Sequence, residues 1–131
     1  MEILGFIPAR GGSKGIPNKN IVDLCGKKLI EYTYDAAEKS EYLTRIILST
    51  DSEKIAQTAD GRDKIEVKMR SEYLATDTAK TADVIKDLLD RLEEEENYWP
   101  DYIVILQPTS PLRTVTDIDN CLEMQIGRAH V

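Results

Sequence analysis

Thiols and imidazoles are scarce in this chain. Among 131 residues only Cys25, Cys121 and His130 carry one. Two isolated cysteines make neither a disulfide framework nor a zinc site. A lone histidine beside the last residue excludes histidine triads and histidine-rich metal clusters. Aromatic residues are 6% of the total, and no aromatic-and-basic platform of the kind that reads single-stranded RNA is visible. Basic residues are outnumbered, 17 against 24 acidic, for a net charge of −7. That balance argues against a general nucleic-acid or membrane binder, since both partners are polyanions. No run of about 18 apolar residues occurs, nor a basic-then-apolar leader. A reducing cytoplasm is the expected compartment.

What remains is a chain with 41% hydrophobic and 31% charged residues, enough for one domain with a moderate core. Strand and helix patterns alternate along it. Ile3 to Ile7 reads as a buried strand. Ile21 to Leu24 leads to a turn at Gly26, and Leu29 to Lys39 is helical with Leu29, Ile30, Thr33, Ala36 and Ala37 near one face. Arg45 to Thr50 is a β-branched run buried on both faces. Asp51 or Ser52 caps a helix through Ala59, ended by Gly61. Ile65 to Met69 alternates, as a strand at or near a sheet edge does. Thr78 or Thr81 caps a helix running to about Glu96, with Val84, Ile85, Leu88, Leu89 and Leu92 as its apolar stripe. The acidic run Glu93 to Glu96 is a solvated helix end, placed against the sense of the helix dipole. Tyr102 to Leu106 is a further strand, and a last helix starts near Thr116. Tyr32, Tyr34 and Trp99 are read as packing. This order predicts a three-layer α/β fold, a mainly parallel sheet with helices on both faces.

Parallel strands bring the segments that follow them to one sheet edge. The first, IPARGGSKGIPNKN at 7–20, packs Gly11, Gly12 and Gly15 among Arg10, Lys14 and Lys19. Glycines let backbone N–H groups approach an anion, and fixed cations add charge. The first 28 residues hold five cations against two acids, so positive charge collects where an anion site is expected. The loop is neither G-x-G-x-x-G nor G-x-x-x-x-G-K-[ST]. Arg10, Lys14, Lys19 and Arg113 offer cations for a polyphosphate. Arg70 with Asp77, Thr78 and Thr81 offers groups to a base or sugar. Gln107 suits a hydroxyl or amide of a second substrate, and Asp51 a metal near phosphates. Each also has a plainer reading: Lys14 and Arg113 as solvated charges, Asp51 and Thr81 as helix caps, Gln107 as a partner for loop backbone. With no nucleophile–base pair in view, the chemistry is one of positioning and electrostatics.

These segments resemble the acylneuraminate cytidylyltransferases, also called CMP-sialic acid synthetases. IPARGGSKGIPNKN, Ser49-Thr50-Asp51, Arg70 with LATDTA at 74–79, and QPTSPLR at 107–113 occur in family order and cover most of the chain to about Met124. The resemblance implies a Rossmann-like nucleotidyltransferase fold over 1–125. It implies transfer of CMP from CTP to the anomeric oxygen of a nine-carbon sugar acid, with Mg2+ as cofactor and a homodimeric parent. By motif position, Arg10 and Lys19 are the catalytic cations on the triphosphate, with Ser13, Lys14 and Asn20 in the same loop. Arg70 and Thr81 contact cytosine or its ribose, and Gln107 the acceptor.

The sequence departs from the family in two ways. Ser71 stands where a proline usually follows the arginine. The family is longer, and its later part supplies the metal's paired aspartates, so no metal ligand is assigned here. The chain is therefore expected to be the amino-terminal portion of a longer protein, with 126–131 as a non-native tail. Legionaminic, pseudaminic and 3-deoxy-octulosonic acids are alternative acceptors, the last the weakest on its first loop. A CTP-binding module without catalysis is the rival from another class. An RNA-binding domain built on Arg10-Gly11-Gly12 is disfavoured by the acidic charge.

Overall fold

The computed structural model describes residues 1–10, 23–24, 27–70, 81–108 and 119. Four parallel strands form the main sheet: β1 (Ile3–Ala9), β4 (Arg45–Thr50), β5 (Ile65–Met69) and β6 (Tyr102–Ile105), in the order β5-β4-β1-β6. A short antiparallel pair, β2 (Asp23–Leu24) and β3 (Lys27–Lys28), stands apart from it. The helices are α1 (Leu29–Glu38), α2 (Glu53–Gln57) and α3 (Thr81–Glu96). From β1 the chain steps outward to β4 and β5, then returns across β1 to β6. The reversal lies between β1 and β6, where open α/β sheets form a crevice at the carboxyl ends of their strands.

Alternation along the strands builds two cores. Ile3 and Ile7 of β1, Ile46 and Leu48 of β4 and Ile65 of β5 face Ile30, Tyr34, Ala36 and Ala37 of α1 and Ile55 of α2. Leu4 and Phe6 of β1 and Ile47 of β4 face Val84, Leu88 and Leu92 of α3. The three layers expected from the strand–helix alternation are therefore present. β5 lies at the end of the sheet, as its alternating pattern predicts. At Gly5, in the central strand, a Cβ would sit 3.0 Å from Leu43 Cδ1. Glycine thus lets the segment after α1 lie directly on the sheet.

Several boundaries differ from the sequence reading. β1 runs on through Pro8 to Ala9. Its pairing with β6 stops at Phe6, whereas that with β4 continues to Ala9. With a partner on one side only, a residue lacking an N–H is tolerated there. β6 ends at Ile105 rather than Leu106. α2 stops at Gln57, and turns carry the chain to Gly61 at φ 81°. Trp99 does not pack: it is 62% exposed. Asn97, at φ 52°, ends α3 with its N–H on the Glu93 carbonyl at 3.0 Å, a left-handed helix end. This turn lays Tyr98, rather than Trp99, against the α3 core. The helix expected from Thr116 lies outside the described residues, apart from Asp119, which is helical. Its carboxylate accepts from Ser40 Oγ.

At the amino-terminal edge of the sheet, Arg45 donates to Glu66 at 2.6 and 2.8 Å and to Glu96 at 3.0 Å. Its guanidinium lies 4.6 Å from the centre of the Tyr98 ring. Hydrogen bonding to Glu66, foremost, and to Glu96 raises its pKa despite burial. Glu96 is thus tied to cations, which offsets part of the cost of acid at a helix carboxyl end.

Candidate functional site

The carboxyl-terminal edge is built by register. Ala9 pairs with Thr50, and Thr50 with Met69. Arg10, Asp51 and Arg70 follow one position later, on three adjacent strands. The ladder reaches this row, since Arg70 N donates to the Thr50 carbonyl at 2.9 Å. Adjacent strands lie about 4.8 Å apart, so the row is short enough for one polar ligand to span.

Arg70 is held to the sheet by its side chain as well. Its Nη2 donates to the Ser49 carbonyl at 2.9 Å, which folds the guanidinium back over the end of β4. Burial lowers its pKa, the Asp51 charge opposes that, and the Arg10 charge adds to it. Arginine remains a cation even so. The Arg70 guanidinium thus feels the charges of both Asp51 and Arg10. Arg10 and Asp51 are half-buried.

Asp51 is relieved of one of its two sequence roles. Ser52 is the cap of α2: its Oγ accepts from Ile55 N at 3.3 Å, and its own N–H donates to Thr50 Oγ1 at 3.1 Å. Gln107 lies just beyond β6, on the far side of the crevice, and is exposed. α3 follows β5 and precedes β6, both parallel to β1, so its first turn begins at the carboxyl edge with Thr81 as first residue. The partial positive charge of a helix amino end is therefore directed at this edge.

Ser13, Lys14, Lys19, Asn20, Asp77, Thr78 and Arg113 lie outside the described residues. Of the predicted site residues, the structure thus brings Arg10, Arg70, the start of α3 at Thr81 and Gln107 to one edge, with Asp51. The sequence reading quoted Ser49 within a strand-end motif but gave it no role. Its carbonyl anchors Arg70, and its buried Oγ finds no hydrogen-bond partner among the described residues. A serine at the end of an apolar strand was the available signal. A cleft of about 380 Å³ lies away from this edge, between the α1–β4 connection and the start of β5, lined by Glu38, Ser40, Arg45, Lys64 and Glu66 among others. It takes no part in the row of strand ends.

An open parallel sheet with cations along its carboxyl edge, beside a switch point, is of the kind that holds nucleotides. The chain belongs to the cytidylyltransferase family, which matches residues 4–127. It is 41% identical over 124 residues to the CMP-N,N'-diacetyllegionaminic acid synthase of Legionella pneumophila, covering 95% of this chain and 53% of that protein. It is 39% identical to the N-acylneuraminate cytidylyltransferase of Escherichia coli, over 94% of this chain and 28% of the relative. The pseudaminic acid cytidylyltransferase of Campylobacter jejuni is 36% identical over 86% of this chain and 48% of its own. The chain thus spans about half the length, or less, of the curated relatives it matches. Among solved structures, a CMP:2-keto-3-deoxy-manno-octonic acid synthetase in complex with CTP superposes with a TM-score of 0.73 at 22% identity, over 97% of this chain and 48% of that one. A Mycobacterium tuberculosis protein, Rv0371c, solved with manganese, superposes with a TM-score of 0.67 at 17% identity, over 98% and 61%. Both share the fold.

Proposed function

We propose that this chain is the nucleotide-binding part of an enzyme that transfers CMP from CTP to the anomeric oxygen of a sialic-type nine-carbon sugar acid. The observation that carries this reading is the row of Arg10, Asp51 and Arg70 on consecutive strand ends, with Gln107 across the switch point. In this reading Arg10 and Lys19 hold the triphosphate as the catalytic cations, with Ser13, Lys14 and Asn20. Arg70 and Thr81 contact cytosine or its ribose, and Gln107 the acceptor. The acceptor's anomeric hydroxyl gives up its proton, which ends in solvent, and its oxygen bonds to the α-phosphorus of CTP as the bond to the bridging oxygen breaks. That electron pair leaves with pyrophosphate. The fixed cations offset charge that builds on the phosphate oxygens, the main contribution a protein makes to such a transfer.

A divalent ion, Mg2+ in this reading, accompanies the triphosphate and neutralises part of its charge. The manganese in the Mycobacterium tuberculosis neighbour supports a divalent ion. Among the described residues no group of three or more His, Cys, Asp or Glu side chains is placed to hold a metal. These residues do not make its site by themselves. The parent protein is a cytoplasmic homodimer in the same reading. Among the described residues no helix is long and apolar enough to cross a membrane.

The test is pyrophosphate release from CTP with N-acetylneuraminic, legionaminic and pseudaminic acids in turn. Release that requires one of them supports the transfer and names the acceptor. No release with any, on a chain that binds CTP, favours a second reading: a CTP-binding portion that needs further sequence for turnover. The share of the relatives' length that the chain spans favours that reading specifically.

A further inference from the structure

Between the cap and metal-ligand roles that the sequence offers Asp51, the geometry suggests a third. The cap belongs to Ser52, and no group of three metal-ligating side chains is formed among the described residues. The register places Asp51 between Arg10 and Arg70, each one strand away. Two guanidinium groups on either side of one strand repel, and a carboxylate between them offsets part of that repulsion. We propose that Asp51 is a positioning residue, whose carboxylate holds the Arg70 guanidinium at the carboxyl edge against repulsion from Arg10. The inference rests on the CTP reading of this site. It assigns Asp51 the spacing between the phosphate-binding and base-reading ends of the row.

Two further facts agree. The Ser49 carbonyl holds one nitrogen of the Arg70 fork at 2.9 Å, so a charge beside the fork decides how the remaining donors are presented. The charge balance at Arg70 has the required signs, Asp51 favouring its cation and Arg10 opposing it, with burial the largest influence.

The test is titration of the wild-type chain, D51N, R70A and the D51N/R70A double variant with CTP, UTP and inorganic tripolyphosphate. Thermal melts check that each folds. D51N is expected to lose about tenfold in its preference for CTP over UTP, the size of a coupling between contacting residues. It is expected to bind tripolyphosphate no more weakly than wild type, because one negative charge is gone. In the R70A background D51N is expected to leave the CTP-to-UTP ratio unchanged. An unaltered preference in D51N overturns the proposal. So does an equal loss of tripolyphosphate and CTP binding, which a phosphate or metal role would give. If D51N does not fold, Asp51→Glu carries the test: the charge stays on a longer arm, and full retention of CTP preference overturns the positioning role. A wild-type chain that binds tripolyphosphate without preferring CTP overturns the CTP reading, and this inference with it.

Discussion

The two edges of one sheet use arginine in opposite ways. At the amino-terminal edge Arg45 meets two carboxylates, Glu66 and Glu96, and stacks on Tyr98. At the carboxyl-terminal edge Arg70 is anchored to the neutral Ser49 carbonyl, and shares one acid, Asp51, with Arg10 along the row of strand ends. An arginine surrounded by acids has its charge balanced within the protein and acts on stability. An arginine fixed by a main-chain carbonyl is held in place while its neighbourhood keeps net positive charge, which suits that edge to an anionic ligand. Arginine content alone does not separate the two; the partners do.

The largest effect expected from this contrast is at Arg70. Removing it should weaken CTP binding about a hundredfold, as truncating one side of a buried charged contact does, and should change the melting midpoint far less. Calorimetric titration of Arg70→Ala beside wild type checks both halves. A large fall in stability with intact CTP binding would make the two edges alike.

An alkaline pH series sharpens the contrast by testing a buried neutral group apart from both edges. Burial pushes the Tyr34 hydroxyl up to about 12, partly offset by its hydrogen bond with Thr58 and by Arg62. Its folded pKa lies above the unfolded value, so its contribution is complete below about pH 10. It is lost as pH rises through about 12, on the order of 2–3 kcal/mol in all. Arg45 stays charged throughout this range. Melting midpoints between pH 9 and 12 should therefore fall steeply in wild type, and less steeply in Tyr34→Phe.

Arg45→Ala is expected to lower stability by about 1–2 kcal/mol, allowing for solvent screening at the partly exposed Glu66 and Glu96. CTP binding should remain unchanged, and urea unfolding with a parallel CTP titration measures both. A smaller effect is expected at Ser52. Ser52→Ala removes the α2 cap and should cost about 1 kcal/mol. Asn at Asp51 should cost less than that in stability while altering nucleotide preference. A stability loss at Asp51 equal to that at Ser52 would return Asp51 to the role of a cap.

Much of this fold could be read from the sequence because its signals are strong and local. β1 and β4 are covered on both faces, so they read as continuous apolar runs. α3 has one covered face, so Val84, Leu88 and Leu92 repeat at helical spacing. The convergence of strand ends followed from parallel topology alone. What escaped depended on neighbours. Pro8 extends β1 because β6 pairs no further than Phe6. The choice between Tyr98 and Trp99 for the core turned on the left-handed backbone at Asn97. Asp51 and Ser52 competed for one cap until the hydrogen bond to Ile55 decided it. The row of Arg10, Asp51 and Arg70 needed the strand register, which no single segment encodes.

The most direct test of the central claim is the melting midpoint of the chain with CTP, UTP and ATP, each with Mg2+, in wild type and Arg70→Ala. A ligand that binds only the folded state raises the midpoint. CTP is expected to raise it well beyond UTP and ATP in wild type, with that difference gone in the variant. Equal shifts with all three nucleotides, or a CTP preference that survives the loss of Arg70, would contradict it.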